Sequence, residues 1–152
     1  MPKLTQVKET KRGRYALFFD GEFAFSLDED TFAMAGLHTG DELEEWQIHD
    51  LQTKSDTRKA VDKAMDLLAL RDHAAGELYQ KLCRSFDPHS AAAAVAKMQE
   101  LNLLDDAGFA RRRAAELLRK RKSRRAILDD LHAKGIDRGA AAEAVETLFA
   151  QS

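Results

Sequence analysis

Leu67-Leu68-Ala69-Leu70-Arg71-Asp72-His73-Ala74-Ala75-Gly76-Glu77-Leu78-Tyr79-Gln80-Lys81-Leu82 decides the fold, because its apolar spacing returns later in the chain. Leu68, Leu78 and Leu82 recur as Leu117, Ile127 and Leu131, each 49 residues on. One residue is then added in the connecting loop, and Phe86, Asp87, Val95 and Met98 recur as Ile136, Asp137, Val145 and Leu148 at a spacing of 50. A unit of this length cannot usually bury its own apolar face, so neighbouring units stack into a short solenoid. An elongated surface of that kind suits a binding protein better than an enzyme with an enclosed pocket.

Working outward, the helical period takes over from about Thr57. Val61, Met65 and Leu68, with Ala64, form the inward stripe of a first long helix, and Leu78 and Leu82 mark a short second one. Asp87-Pro88 starts a third, with an acceptor at the N-cap and proline at the first helical position. Val95, Met98 and Leu101 give its buried edge. Asp105 caps the next helix, with Phe109, Ala110, Ala114 and Leu117 inward; Ser123 caps another, with Ile127, Leu128 and Leu131 inward and Gly135 as its C′ residue. Asp137 begins the last, with Ala141, Val145, Leu148 and Phe149 inward. These stripes read as core rather than as cofactor boxes.

Before the helices the pattern is β. Leu4 to Lys8 reads as a half-buried alternating strand, and Asp20-Gly21 joins Tyr15–Phe19 to Glu22–Leu27 as a hairpin. Strict alternation places Phe23, Phe25 and Leu27 on one face. Asp28 looks like the cap of a short helix ending near Ala35-Gly36, and Trp46, Ile48 and Leu51 are expected to anchor the module. The fold class is therefore mainly α: two tandem three-helix repeats (56–103 and 104–152) after a small β-rich module (1–55).

Composition narrows the function. The chain is 44% hydrophobic and 33% charged, as in an ordered chain with many exposed helix faces. No apolar run approaches the ~18 residues needed to span a bilayer, and Met1-Pro2-Lys3-Leu4 lacks the core of a secretion signal. Cys83 is alone, which excludes an intrachain disulfide and makes it a small core residue. A cytoplasmic protein is expected. The net charge of −2 hides segregation: residues 21–56 carry one basic and ten acidic groups, whereas 57–152 carry eighteen basic and fourteen acidic.

Several of the stretches quoted resemble the RecX regulatory family. Leu67 to Leu82 looks like the signature of its first repeat. Leu103-Leu104-Asp105-Asp106-Ala107-Gly108-Phe109-Ala110 is similar to its entry into the second, and Leu131-His132-Ala133-Lys134-Gly135-Ile136 resembles the ending of that repeat's middle helix. Phe19-Asp20-Gly21-Glu22-Phe23 resembles the β extension of some members. The resemblance implies a tandem array of three-helix repeats and a regulator that binds the RecA recombinase on DNA, lodges along the filament groove and limits its activity. Longer members have a third repeat; two are read here. The family's usual serine before the Glu-Leu pair is Ala74, so Asp72 is expected to cap that helix instead, while Gly76 weakens its first turn by up to about 1 kcal/mol.

Arg111, Arg112, Arg113, Arg119, Lys120, Arg121, Lys122, Arg124 and Arg125 lie within fifteen residues, opposed in that window only by Glu116. Arg112 and Arg119 are one heptad apart and share a face, and Lys120 to Arg125 crosses a helix junction. Arginine forks match phosphate oxygens, and each neutralised phosphate releases counterions. The alternative is a solvated helix end, with Glu116 pairing to Arg112 and Lys120 for about 0.3–0.5 kcal/mol each. Nine bases against one acid exceed what such pairing neutralises. The cluster is the expected contact surface for the filament or for a single- or double-stranded DNA backbone, without base reading. A general DNA-binding module and a scaffold for an acidic protein are the alternatives. The acidic 21–56 stretch is read as a solubilising surface rather than a device for orienting the protein on DNA.

Catalytic chemistry has no candidate. The histidines at 38, 49, 73, 89 and 132 show no metal-ligand spacing with each other or with Cys83, and Gly21, Gly36 and Gly40 are isolated turn residues rather than a phosphate loop. Asp105-Asp106 reads as a cap and its dipole-favoured neighbour; the adjacent side chains of Asp129-Asp130 diverge. The sequence therefore predicts a monomeric, non-enzymatic regulator with no cofactor, metal or membrane partner.

Overall fold

Asp20 and Gly21 both take positive φ, 51° and 84°, the backbone a type I′ hairpin turn demands. The turn joins β2 (Tyr15–Phe19) to β3 (Glu22–Leu27), and β1 (Leu4–Glu9) pairs with β2, giving an antiparallel sheet of order β1-β2-β3. The computed structural model describes residues 1–151. The chain divides between Lys59 and Ala60 into two compact units.

In the first unit, two bulges correct the simple alternation. Ala24 is an extra residue between Phe25, opposite Leu17, and Phe23, opposite Phe18. Phe25 and Leu27 stay in the core, while Phe23 turns outward to 60% exposure and meets Phe18 edge-on. In β1 the register skips Thr5, which brings both Leu4 and Val7 to the core although they are three apart. Leu17, Phe19, Leu43 and Leu51 complete that core. Asp28 caps α1 (Glu29–Ala35) by accepting from the Thr31 N–H, and Gly36 (φ 61°) ends it.

The helical period begins earlier than Thr57: α2 runs from Glu45 to Leu70. Gln47 Oε1 reaches back 2.8 Å to the Glu44 N–H, half of a capping box. Ile48 and Leu51 face inward as expected, but Trp46 does not anchor the module; on the first turn of α2 it is 65% exposed.

The second unit holds two three-helix repeats. The end of α2 packs with α3 (Ala75–Leu82) and α4 (Pro88–Glu100); α5 (Asp106–Arg119), α6 (Arg124–Ala133) and α7 (Arg138–Ala150) form the second. Leu78 and Leu82 are buried in one core as Ile127 and Leu131 are in the other. Alanines fill much of the rest: Ala60, Ala64, Ala91 and Ala94 are inaccessible, which lets helices pack closely. Met65 and Leu101, expected inside, are 41% and 42% exposed, because the stripe turns onto these alanines. Asp87, Asp105, Ser123 and Asp137 each cap their helix, accepting from the N–H of Ser90, Gly108, Ala126 and Ala140.

The helix α3 differs. Ala74 offers it no side-chain cap, and Asp72 does not replace one. Asp106 of the second repeat accepts the Ala75 N–H at 2.8 Å, across 31 residues of sequence. Gly76 is explained at the same place. A Cβ there would stand 2.8 Å from the Gly135 Cα, so the two backbones meet where only glycine fits.

Candidate nucleic-acid interface

Three helix ends set the geometry. The ends of α4, α5 and α6 close through a left-handed residue, Asn102 (φ 59°), Arg121 (φ 61°) and Gly135 (φ 81°). In each, the next N–H returns to a carbonyl in the last turn: Leu103 to Met98, Lys122 to Leu117, Ile136 to Leu131. Glycine and asparagine are the usual residues for this conformation. An arginine carries a steric cost of roughly 1 kcal/mol there.

The nine cations of the cluster do not act alike. Arg113 is a brace: its Nε and one terminal nitrogen donate to both Asp130 oxygens at 2.9 and 3.1 Å, and the other nitrogen reaches Glu116 at 3.3 Å. This fork ties α5 to α6. It holds the Asp130 carboxyl below the usual carboxylate range against the opposing effect of burial, and raises the Arg113 pKa. Arg112 pairs with Asp72 at 3.2 Å, across the two repeats. Glu116 therefore pairs with Arg113 and Lys120, not with Arg112 as expected from the sequence. Its pKa falls through the Lys120 contact first. Arg125 lies 4.0 Å from Asp129, and the Arg124 guanidinium stands 4.9 Å over the Phe149 ring.

Among the described residues, Arg111, Arg119, Arg121 and Lys122 make no ion pair, and all four are exposed. Arg111 lies against α7 beside Glu143 and Thr147, apart from the others. The other three gather with Lys120, Arg124 and Arg125 at the α5–α6 corner. Arg124 and Arg125 occupy the first turn of α6, which carries no acidic residue. The positive end of a helix dipole disfavours cations there.

Sequence reasoning missed two cations. Arg71 and Lys134 line a cleft of about 470 Å³ with Asp72, Arg112, Arg113 and Glu116 at the junction of the repeats. Arg71 forks onto Glu77 at 2.6 and 3.2 Å. Burial works against the Glu77 carboxylate, yet this fork keeps its pKa below the ordinary value. His73, 3% exposed, is held between the Arg71 carbonyl (3.0 Å) and Lys81 Nζ (2.8 Å); burial lowers its pKa. The available signal was the pair of family-like stretches themselves, since Arg71 and Lys134 belong to the segments that meet at Gly76 and Gly135. Among the described residues, no group of three or more His, Cys, Asp or Glu could hold a metal ion, and no helix is long and apolar enough to cross a membrane.

Residues 105–145 match the family model described as RecX, second three-helix domain. The regulatory protein RecX of Caldanaerobacter subterraneus subsp. tengcongensis is 27% identical over 94% of this chain and 73% of its own length. That of Lactobacillus johnsonii is 34% identical over 90% of this chain and 51% of its own length. The chain spans about half the length of most of the curated relatives it matches. A crystal structure of regulatory protein RecX superposes with a TM-score of 0.69 at 24% identity, over 97% of this chain and 74% of that one.

Proposed function

This chain belongs to the RecX regulatory family, and on that premise we propose that it binds the RecA–DNA filament and limits recombinase activity. The repeats, residues 56–103 and 104–152, make the contact through the α5–α6 corner. Residues 1–55 adjust register. The protein acts as a cytoplasmic monomer without a cofactor, and no catalytic step is involved.

One observation carries the placement of the contact. The corner keeps cations where local structure disfavours them: Arg121 in a left-handed conformation and Arg124 and Arg125 at a helix N-terminus. Arg124 over the Phe149 ring and Arg125 beside Asp129 have local compensation, whereas Arg121 makes no ion pair among the described residues and its left-handed strain has no local offset. Phosphate contact gives one, because arginine binds it bidentately and gains from counterion release. The cleft at the repeat junction holds Arg71, paired with Glu77, and Lys134, 4.0 Å from Asp130.

The test measures binding to single-stranded DNA, to free RecA and to the assembled filament across salt. Preference for the filament is expected. Equal affinity for bare DNA would mark a general DNA-binding module, and no DNA-dependent binding would leave a scaffold for an acidic protein. Replacing Arg121 by glycine separates function from structure. R121G is expected to be more stable by about 1 kcal/mol and to bind the filament more weakly, with a shallower salt slope. A more stable variant with unchanged affinity and slope would remove the corner from the interface.

A further inference from the structure

We infer that the first unit carries a second docking site, opposite in charge, for a basic segment of a partner protein bearing an apolar anchor. It is independent of the filament contact proposed above. The site is a groove of about 410 Å³ between the end of α1, the turn before α2 and the first two turns of α2. Leu37, Leu43 and Leu51 supply apolar surface, and Asp41, Glu42 and Asp50 supply carboxylates; Asp50 pairs with Lys54 at 3.0 Å, and no lysine or arginine lines this groove itself.

Trp46, the chain's single tryptophan, forms one wall and is 65% exposed. Its indole N–H donates to Glu44 Oε2 at 2.6 Å, which holds the ring in place. Asp50 follows one helical turn later on the same face. A lysine or arginine laid over the indole would meet both a π face and a carboxylate. The α1 helix ends at this groove with no basic residue in its last turn, so its terminal carbonyls add negative potential. The start of α2 would oppose a cation, but its first turn is covered by Glu45 and by the Gln47 bond to the Glu44 N–H.

The apolar part of the ligand has a place as well. A second concavity of about 320 Å³ shares Ala35 and Leu51 with the first and is edged by Met34, which is 90% exposed, and by Lys54, whose charge is paired with Asp50. The Trp46 indole lines the first concavity and the Met34 thioether the second, and an aliphatic anchor fits the Ala35 and Leu51 surface that the two share. Charge complementarity chooses the occupant: residues 21–56 hold ten acidic groups and one basic group, so a cationic segment is attracted and an acidic one repelled.

Trp46 is its own reporter. The full chain is titrated with a short amphipathic lysine–leucine peptide under selective tryptophan excitation, and with a glutamate–leucine peptide of the same pattern. The lysine–leucine peptide is expected to shift the emission to the blue and to bind less tightly as salt rises. With a label on the peptide, W46A and the E42Q/D50N variant are each expected to lose about tenfold in affinity. The E22Q/E29Q variant, altered outside the groove, should retain it. Equal binding of the acidic peptide, unchanged affinity in W46A, or an equal loss in E22Q/E29Q would each overturn the proposal. So would a concentration-dependent blue shift without peptide, which would mean that a second copy fills the groove.

Discussion

The middle helices α3 and α6 occupy equivalent places in the two repeats and begin in different ways. Ser123 caps α6 from its own chain neighbourhood, accepting the Ala126 N–H at 3.1 Å. For α3 the equivalent position is Ala74, and the acceptor comes from Asp106 of the next repeat. Ala74 is also buried with the second repeat's core, beside Phe109 and Ile136. The duplication thus preserves packing but not capping. One repeat begins its middle helix independently, whereas the other is completed by its neighbour. Repeat arrays gain stability from nearest-neighbour interfaces, and here a specific hydrogen bond, a glycine pair, the burial of Ala74 and the Arg112–Asp72 pair contribute to that interface.

The most disruptive way to break this asymmetry is at the glycine contact. G135A adds a Cβ 2.7 Å from the Gly76 Cα and places alanine at φ 81°. Together these should cost about 3 kcal/mol or more. Thermal unfolding should report the loss, and G76A, which has the clash without the left-handed strain, should lose less. Equal stability of wild type and G76A would show that the backbones separate freely.

A smaller effect is expected at the borrowed cap. D106A should cost about 1 kcal/mol, with faster amide exchange concentrated in the first turn of α3. Adding A74S should restore part of that loss by supplying a local acceptor, as Ser123 does for α6. Uniform exchange through α3 in D106A would mean the long-range bond contributes nothing.

The smallest predicted difference concerns acid. The Asp130 carboxyl is lowered in the folded protein by the Arg113 fork, so the unfolded state binds the proton more readily. Its stabilisation is present above the ordinary carboxylate pKa and is lost as pH falls through the folded value. D130N should be less stable at neutral pH by about 1 kcal/mol, and its stability should fall less steeply below about pH 4. Parallel curves for wild type and D130N would remove the α5–α6 fork from the acid response.

Much of the fold was legible because its signals are local. An acid or serine at an N-cap reaches three residues ahead, and Asp28, Asp87, Asp105, Ser123 and Asp137 all do so. Asp-Gly dictated the hairpin for the same reason. Local signals mislead where one inserted residue or a distant partner decides. Ala24 flips Phe23 without altering the apolar pattern on either side. The start of α2 is marked by Glu44-x-x-Gln47, a weaker signal than Ser-x-x-Glu, so the sequence alone places Trp46 among the apolar anchors although it is 65% exposed. The basic stretch was visible as a run of letters, but its division into braces and unpaired cations was not. Arg112 and Arg113 find Asp72 and Asp130 at separations of 40 and 17 residues. The left-handed backbone of Arg121 left no mark at all, since nothing in an Arg-Lys-Arg-Lys run indicates which residue closes the helix.

The bond from Asp106 to the Ala75 amide has a consequence for biosynthesis. The ribosome releases residues from the amino end, so the start of α3 emerges 31 residues ahead of its acceptor, and Gly135 arrives later still. The nascent first repeat should therefore fray at that helix until translation delivers its neighbour.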